Sequence, residues 1–128
     1  MENTIKLSIV TPSGLIFEGD VKSVVLPGID GEFGVIASHS SLVSTLSVGV
    51  IEIVNTDASI DAIAINWGHV KVNETSVDVL IDGAVSINSN DTSNIAKNIE
   101  AAKELVNSVK DTDISIAAVE AKITSFAS

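Results

Sequence analysis

Up to about Ile87, hydrophobic residues recur at every second position, which is the period of a β-strand. The alternation places a face rich in valine and isoleucine against a mostly polar one. The segment Asn73-Glu74-Thr75-Ser76 is typical of a tight hairpin connection. Short strands at close spacing, without helices between them, predict an antiparallel sandwich or barrel. The predicted strands cover residues 5–10, 16–26, 48–54, 62–67, 69–73 and 77–82.

Beyond Ile87 the hydrophobic spacing changes to alternating steps of three and four residues. A polar segment at 88–93 supplies possible N-caps, and Asp111-Thr112-Asp113 interrupts the pattern later. This spacing predicts two helices, each with one apolar side, that face each other as an antiparallel hairpin. The apolar side chains predicted to form this hairpin seam are Ile95, Ile99, Ala102, Val106, Val109, Ile116, Val119, Ile123 and Phe126.

The change of period predicts a division into residues 1–87 and residues 88–128. Helices this short are marginal in water when isolated. We therefore expect the hairpin to dock on the first unit or on another protein. Because the free energy gained by burying this seam is comparable to the entropy cost of ordering the hairpin, we expect a movable appendage and not a fixed half of one core.

The charge balance excludes several classes of function. The 128 residues include seventeen acidic residues, seven lysines and no arginine, for a formal charge of −10. Binding to phosphate backbones or anionic lipid requires clustered cations, which this chain lacks. It has no cysteine, and its two histidines lie thirty residues apart, so we expect no disulfide and no metal centre. No signal peptide or long apolar run is visible, and we expect an intracellular soluble protein.

Candidate chemistry is sparse. The stretch Pro27-Gly28-Ile29-Asp30-Gly31-Glu32-Phe33-Gly34 lacks the following helix of a phosphate-binding loop, so we expect an exposed turn that presents Asp30 and Glu32. His39 lies between Ser38 and Ser40 but has no partner to orient it as a base. Trp67 is expected in a core or an interface. Asp78 and Asp82 alternate outward along one predicted strand, and we expect both to be solvated. We expect His69 at the surface.

Several of these motifs also resemble a known family. The segments are Leu-Ser-Ile-Val-Thr-Pro (7–12), Ile-Phe-Glu-Gly (16–19) and Pro-Gly-x-x-Gly-Glu-x-Gly-Val-Ile-x-x-His-x-x-Leu-Val (27–43). They are followed by Gly-x-Ile (49–51) and Val-x-Val-Leu-x-Asp-x-Ala (77–84). Together they resemble the epsilon subunit of bacterial F-type ATP synthases, called delta in mitochondria. Trp67-Gly68 departs from the family, which usually has two glycines there.

The resemblance implies an α+β fold, with an antiparallel β-sandwich of about ten strands before a two-helix antiparallel hairpin. It implies a non-catalytic central-stalk subunit of a proton-translocating F-type ATP synthase, without cofactors, that links the gamma subunit to the c ring. The complex would hold it peripherally at the cytoplasmic face of the bacterial inner membrane. The loop that the resemblance places toward the c ring comprises Gly31, Glu32, Phe33, Gly34 and His39.

In related bacterial proteins the hairpin also inhibits ATP hydrolysis by contacting the alpha and beta subunits, and some members bind ATP through an arginine motif. Because this chain has no arginine, we expect weak inhibition at most and poor ATP binding. Two alternatives remain open. The first is a free-standing β-sandwich that binds a ligand, and the second is a small hydrolase that uses His39 with Ser38 or Ser40.

Overall fold

The computed structural model describes residues 4–38, 40–87, 95–109 and 116–125. These residues form nine strands followed by two helices. The strands are β1 (Ile5–Thr11), β2 (Gly14–Gly28), β3 (Gly31–Ile36), β4 (Leu42–Leu46), β5 (Gly49–Asn55), β6 (Ile60–Ile65), β7 (Gly68–Val72), β8 (Ser76–Ile81) and β9 (Ala84–Ser86). The helices are α1 (Ile95–Asn107) and α2 (Ile116–Ser125). This order confirms the predicted fold class of a β-sandwich before two helices.

The strands form two layers that share β2. The first layer has the order β1-β8-β7-β4, and the second has the order β3-β2-β5-β6-β9. The first half of β2 pairs with β1, and the second half pairs with β3 and β5. The register shifts between Ile9 and Val10 and between Val21 and Ser23, which lets the long strand pass from one layer to the other.

One strand pair departs from the predicted antiparallel arrangement. β1 and β8 run parallel, with Leu7 opposite Val77 and Ile9 opposite Val79. β2 occupies one edge of β1, and β8 hydrogen-bonds along its other edge, which would otherwise leave backbone groups unpaired. Alternation of side chains does not depend on strand direction, so the sequence pattern could not reveal this pair.

The space between the layers is filled with aliphatic side chains. Phe17 and Phe33 pack at its margin, partly buried. The strands β3 and β4, which the hydrophobic pattern did not predict, contribute Val35 and Leu46. The buried members of this sandwich core are Ile5, Leu7, Ile9, Val21, Val24, Leu26, Val35, Leu46, Ile51, Ile53, Ile63, Ile65, Val70, Val72, Val77, Val79 and Ile81.

A second apolar cluster lies on the other side of the second layer, beneath the helices. β6 buries Ile63 and Ile65 in the sandwich core, and it buries Ala62 and Ala64 against the helices. The expectation of one mostly polar face was therefore wrong for β6, because the helices cover that face. The buried members of this helix–sheet cluster are Val48, Val50, Ala62, Ala64, Ile87, Ala102, Val106, Val119 and Ile123.

Candidate functional site

The solvent-facing side of the first layer, here called the outer face, lies on the side of the sandwich away from the helices. Strand register places Val10 beside Leu80 and Leu80 beside His69. Leu80 is 59% exposed, and Trp67, just before β7, is 49% exposed. In the neighbouring cross-strand row, Asp78 pairs with Lys71 and Lys71 pairs with Val43. Val43 is 75% exposed. The outer face therefore carries large apolar side chains that nothing in the described chain covers.

A groove of about 410 Å³ runs along one end of the outer face. Its wall includes Val10, Pro12, Trp67, His69 and Leu80. The rings of Trp67 and His69 meet edge to face, with centroids 6.2 Å apart. Trp67 therefore lies at the surface beside a groove, as an interface residue would, and it does not belong to the sandwich core.

Sequence reasoning missed the outer face, although one signal was present. Val77, Val79 and Ile81 point into the sandwich core, so Leu80 lies in the polar phase of β8 between Asp78 and Asp82. A leucine in that phase is apolar surface that folding does not bury. Charged neighbours lie beyond it, since Lys71 is paired in register with Asp78. The outer face thus has one apolar row through Val10 and Leu80, and a neighbouring row that carries the charged pair together with Val43.

The predicted c-ring loop is mostly a strand. Only Ile29 and Asp30 form the exposed turn between β2 and β3, and Gly31 begins β3 opposite Gly28. Gly31 has a φ of 127°, which glycine adopts without strain. The expectation of an exposed loop over all these residues was therefore too broad, because the backbone of Glu32 and its neighbours pairs with β2.

The other members of that predicted site are placed as follows. Glu32 and Gly34 are exposed on β3, while Phe33 is half-buried against the sandwich core. Glu32 extends from the same side of the second layer as the helices, where it meets α2. His39 lies outside the described residues.

The predicted hairpin seam faces the second layer as well as the neighbouring helix. Ala102, Val106, Val119 and Ile123 are buried in the helix–sheet cluster. Ile99, Val109 and Ile116 are half-buried against the same cluster. α1 contacts β6, β9 and α2, and α2 contacts β5. Phe126 and the side chain of Ile95 lie outside the described residues.

A charged contact accompanies this apolar one. The Lys122 ammonium on α2 hydrogen-bonds the Glu32 carboxylate, and it lies 3.4 Å from a carboxylate oxygen of Glu52 on β5. Partial burial by itself lowers the pKa of Lys122, but the two carboxylates outweigh it, so the pKa is raised above the usual 10.5. Lys122 therefore stays charged at neutral pH.

Other polar side chains have local structural roles. Asn66 donates to the Asp82 carboxylate at 2.9 Å and accepts from the Gly83 backbone at 2.8 Å. Asp57 accepts hydrogen bonds from the Ser59 hydroxyl and backbone N–H, which lower the pKa of Asp57 below 3.8.

No group of acidic or histidine side chains in the described ranges is arranged to hold a metal ion. Neither described helix is long and apolar enough to cross a membrane.

Comparison with known proteins accounts for this architecture. Residues 4–87 match the family model described as the ATP synthase delta/epsilon chain, beta-sandwich domain. The chain belongs to this family. The resemblance first noted in the motifs between residues 7 and 84 is thereby confirmed across the whole sandwich. As a delta/epsilon chain it is a non-catalytic subunit of ATP synthase and is not itself an enzyme.

Curated relatives extend the similarity over the helices. The chain is 70% identical to the ATP synthase epsilon chain of Aliarcobacter butzleri over 98% of its length and 99% of that protein. It is 54% identical to the epsilon chain of Campylobacter fetus over 94% of both chains. Because these matches span nearly the full length of each protein, the hairpin belongs to the shared architecture as well.

Solved structures agree. A chain of the Euglena gracilis mitochondrial ATP synthase, in a structure comprising OSCP, F1 and the c-ring, superposes with a TM-score of 0.64 at 25% identity. That match covers 95% of this chain and 74% of the Euglena chain. A chain of the Tetrahymena thermophila central stalk and c-ring gives a TM-score of 0.60 at 13% identity, covering 97% and 96% of the two chains. The latter likeness concerns the fold alone.

Proposed function

We propose that this delta/epsilon chain is a central-stalk subunit that joins the gamma subunit to the c ring of a proton-translocating F-type ATP synthase. The observation that carries the proposal is the location of its two surfaces. A closed sandwich exposes an apolar outer face on one side and bears the β2–β3 turn and the hairpin on another. A rigid body with two separate contact surfaces is suited to transmitting torque between neighbours.

The gamma subunit is the proposed partner of the outer face. Full burial of a leucine such as Leu80 contributes about 1.5–3 kcal/mol. Trp67 offers a larger apolar side chain with one polar N–H, a combination enriched at interfaces. The charged row at Lys71 and Asp78 would fix the orientation of the partner more than the affinity.

The c ring is the proposed partner of the β2–β3 turn. The segment assigned to this contact comprises Gly31, Glu32, Phe33 and Gly34, together with His39. Ile29 supports the assignment because it is 59% exposed at the tip of the turn, next to Asp30. A short strand pair holds this tip firmly, as a contact that bears torque requires. In the complex the chain would lie at the cytoplasmic face of the bacterial inner membrane.

We further propose that residues 1–87 and 88–128 are two units, and that the second contacts the alpha and beta subunits when it leaves the sheet. Its inhibitory effect on ATP hydrolysis would be weak, because the chain has no arginine with which to form bidentate contacts to acidic loops or phosphate. Removing the residues after Ser89 should change hydrolysis by the assembled enzyme little. A large activation would show that other contacts suffice for inhibition.

The gamma contact can be tested by co-purification. Leu80→Glu should weaken capture of the gamma subunit about tenfold to a hundredfold, since it places a charge in a buried apolar contact. Ile60→Glu is a matched control, because Ile60 is 49% exposed but lies at the start of β6 in the other layer. Equal capture by wild type and Leu80→Glu would refute this assignment of the outer face.

The same preparation separates the alternatives. A free-standing ligand-binding module would not capture the gamma subunit at all. A hydrolase that used His39 would lose turnover on His39→Ala, whereas a stalk subunit has no turnover to lose. Family membership favours neither alternative.

A further inference from the structure

One ion-pair cluster joins α2 to the sandwich and is distinct from the apolar contacts between them. It consists of Lys122, Glu32 and Glu52, here called the latch. Lys122 is the sole basic residue of α2. Its side chain is 28% exposed and that of Glu52 is 29% exposed, whereas that of Glu32 is 52% exposed. The partner that faces solvent most is therefore Glu32.

Strand register explains why both carboxylates reach one ammonium. β3 and β5 lie on either side of β2, with Glu32 opposite Pro27 and Glu52 opposite Val25. Both glutamates therefore extend from the same side of the layer, toward α2. Without Lys122, two negative charges would face each other across one strand, in a chain whose net charge is already −10. The lysine holds α2 in place and also neutralises this pair.

Glu32 also belongs to the segment proposed to face the c ring. A carboxylate that already forms an ion pair with a cationic group of a partner attracts a second cation less strongly. We propose that the latch holds the hairpin on the sheet, and that a cationic group of the c ring pairing with Glu32 loosens it. The identity of the competing partner rests on the proposed function, while the latch itself is a property of the isolated chain.

Two arrangements follow, and they are linked thermodynamically. When Glu32 pairs with Lys122, the hairpin is held by two carboxylates. When a partner engages Glu32, only Glu52 remains to hold the lysine. The factor by which ring binding weakens hairpin docking must equal the factor by which hairpin docking weakens ring binding. The structure thus connects Glu32, near the start of β3, to Lys122 on a helix, 90 residues later in the sequence.

The latch can be measured in the isolated full-length chain by amide hydrogen exchange. Lys122→Met keeps the alkyl stem and removes the charge, so protection of the α2 amides should fall about threefold to fivefold, while protection in β1 and β8 stays unchanged. Glu32→Gln and Glu52→Gln should each give part of this loss. Lys103→Met is the matched control on α1, since Lys103 is half-buried but forms no ion pair within the described ranges. Unchanged α2 protection in Lys122→Met would overturn the latch.

The competition can be measured with the chain–gamma complex and purified c rings. Ring binding should reduce α2 protection about twofold to threefold, and Lys122→Met should bind the ring more tightly by a similar factor. Wild type and Lys122→Met binding with equal affinity would refute the competition, although the ring contact would stand. If neither bound the ring, both the proposed ring contact and the competition would fail, whereas the latch measured in the isolated chain would remain.

Discussion

Because the helix–sheet cluster and the sandwich core are separate, we expect the hairpin to undock without unfolding the sandwich. Ile123 on α2 is fully buried in the helix–sheet cluster, and Ile53 on β5 is fully buried in the sandwich core. Truncation of a buried isoleucine to alanine costs about 2–5 kcal/mol through lost burial and the resulting cavity. If the hairpin docks as a separate unit, Ile123→Ala removes this amount from docking alone.

The expected result is specific to each cluster. In Ile123→Ala, amides of α1 and α2 should exchange at least about thirtyfold faster, up to the limit of a fully undocked hairpin, because 1.4 kcal/mol corresponds to a factor of ten. Strands β1 and β8 should retain wild-type protection and the main thermal transition should not move. Ile53→Ala should instead lower the transition of the sandwich. Native-state hydrogen exchange by NMR measures both.

The reasoning would be refuted if Ile123→Ala reduced protection in β1 and β8 as much as in α2. That outcome would show one cooperative unit, with the helix–sheet cluster as an integral part of a single core. The proposed division at residues 87 and 88 would then be wrong, even though the two clusters are distinct in space.

Three other predictions follow from single contacts. Gly68→Ala should destabilise the sandwich by about 1–3 kcal/mol in thermal unfolding, because its Cβ would lie 2.3 Å from the Leu80 carbonyl oxygen. The carboxylates that raise the pKa of Lys122 stabilise hairpin docking while the lysine is charged. This stabilisation is fully present below pH 10.5 and should be lost as pH rises through the folded-state pKa. Lys122→Met should lack this pH dependence in exchange experiments. The lowered pKa of Asp57 should return toward 3.8 in Ser59→Ala, measured by NMR titration; an unchanged pKa would contradict the assigned hydrogen bonds.

Much of the fold follows from periodicity. Alternation in β1, β7 and β8 is regular because one side of each strand faces the sandwich core and the other faces water. The connection at 73–76 was also predicted and is present, with the Asn73 N–H donating to the Ser76 carbonyl at 2.8 Å. Steps of three and four residues likewise predicted both described helices, because each buries only one side.

Prediction from periodicity failed where a strand has two buried faces or few apolar residues. In β6, Ala62 and Ala64 looked like the lesser face of an alternating strand, yet they lie beneath the helices. Small side chains allow a helix to approach a sheet closely, so such an alanine pair is itself a docking signal. β3 was missed because Gly31 and Gly34 made it resemble a loop, and its strand character comes from pairing with β2.

The candidate sites were harder to predict because they depend on neighbours distant in sequence. Leu80 lies out of phase in its own strand, which the sequence shows, but only register places it beside Val10 and His69. No local pattern relates Lys122 to Glu32. The family resemblance indicated which segments matter, while their geometry required the fold.

The long strand β2 pairs with strands of both layers, and so lies between the outer face and the latch. Its first half pairs with β1 in the layer that bears the outer face, and its second half carries the turn toward Glu32. The same half pairs with β5, which bears Glu52 beneath α2. A displacement of the turn relative to β5 would therefore alter the distance between the two carboxylates that share Lys122. The outer face need not change, because the sandwich core between the layers is close-packed and resists deformation. Mechanical rigidity toward one partner and a weak, reversible contact for the hairpin are thus compatible within a single sheet.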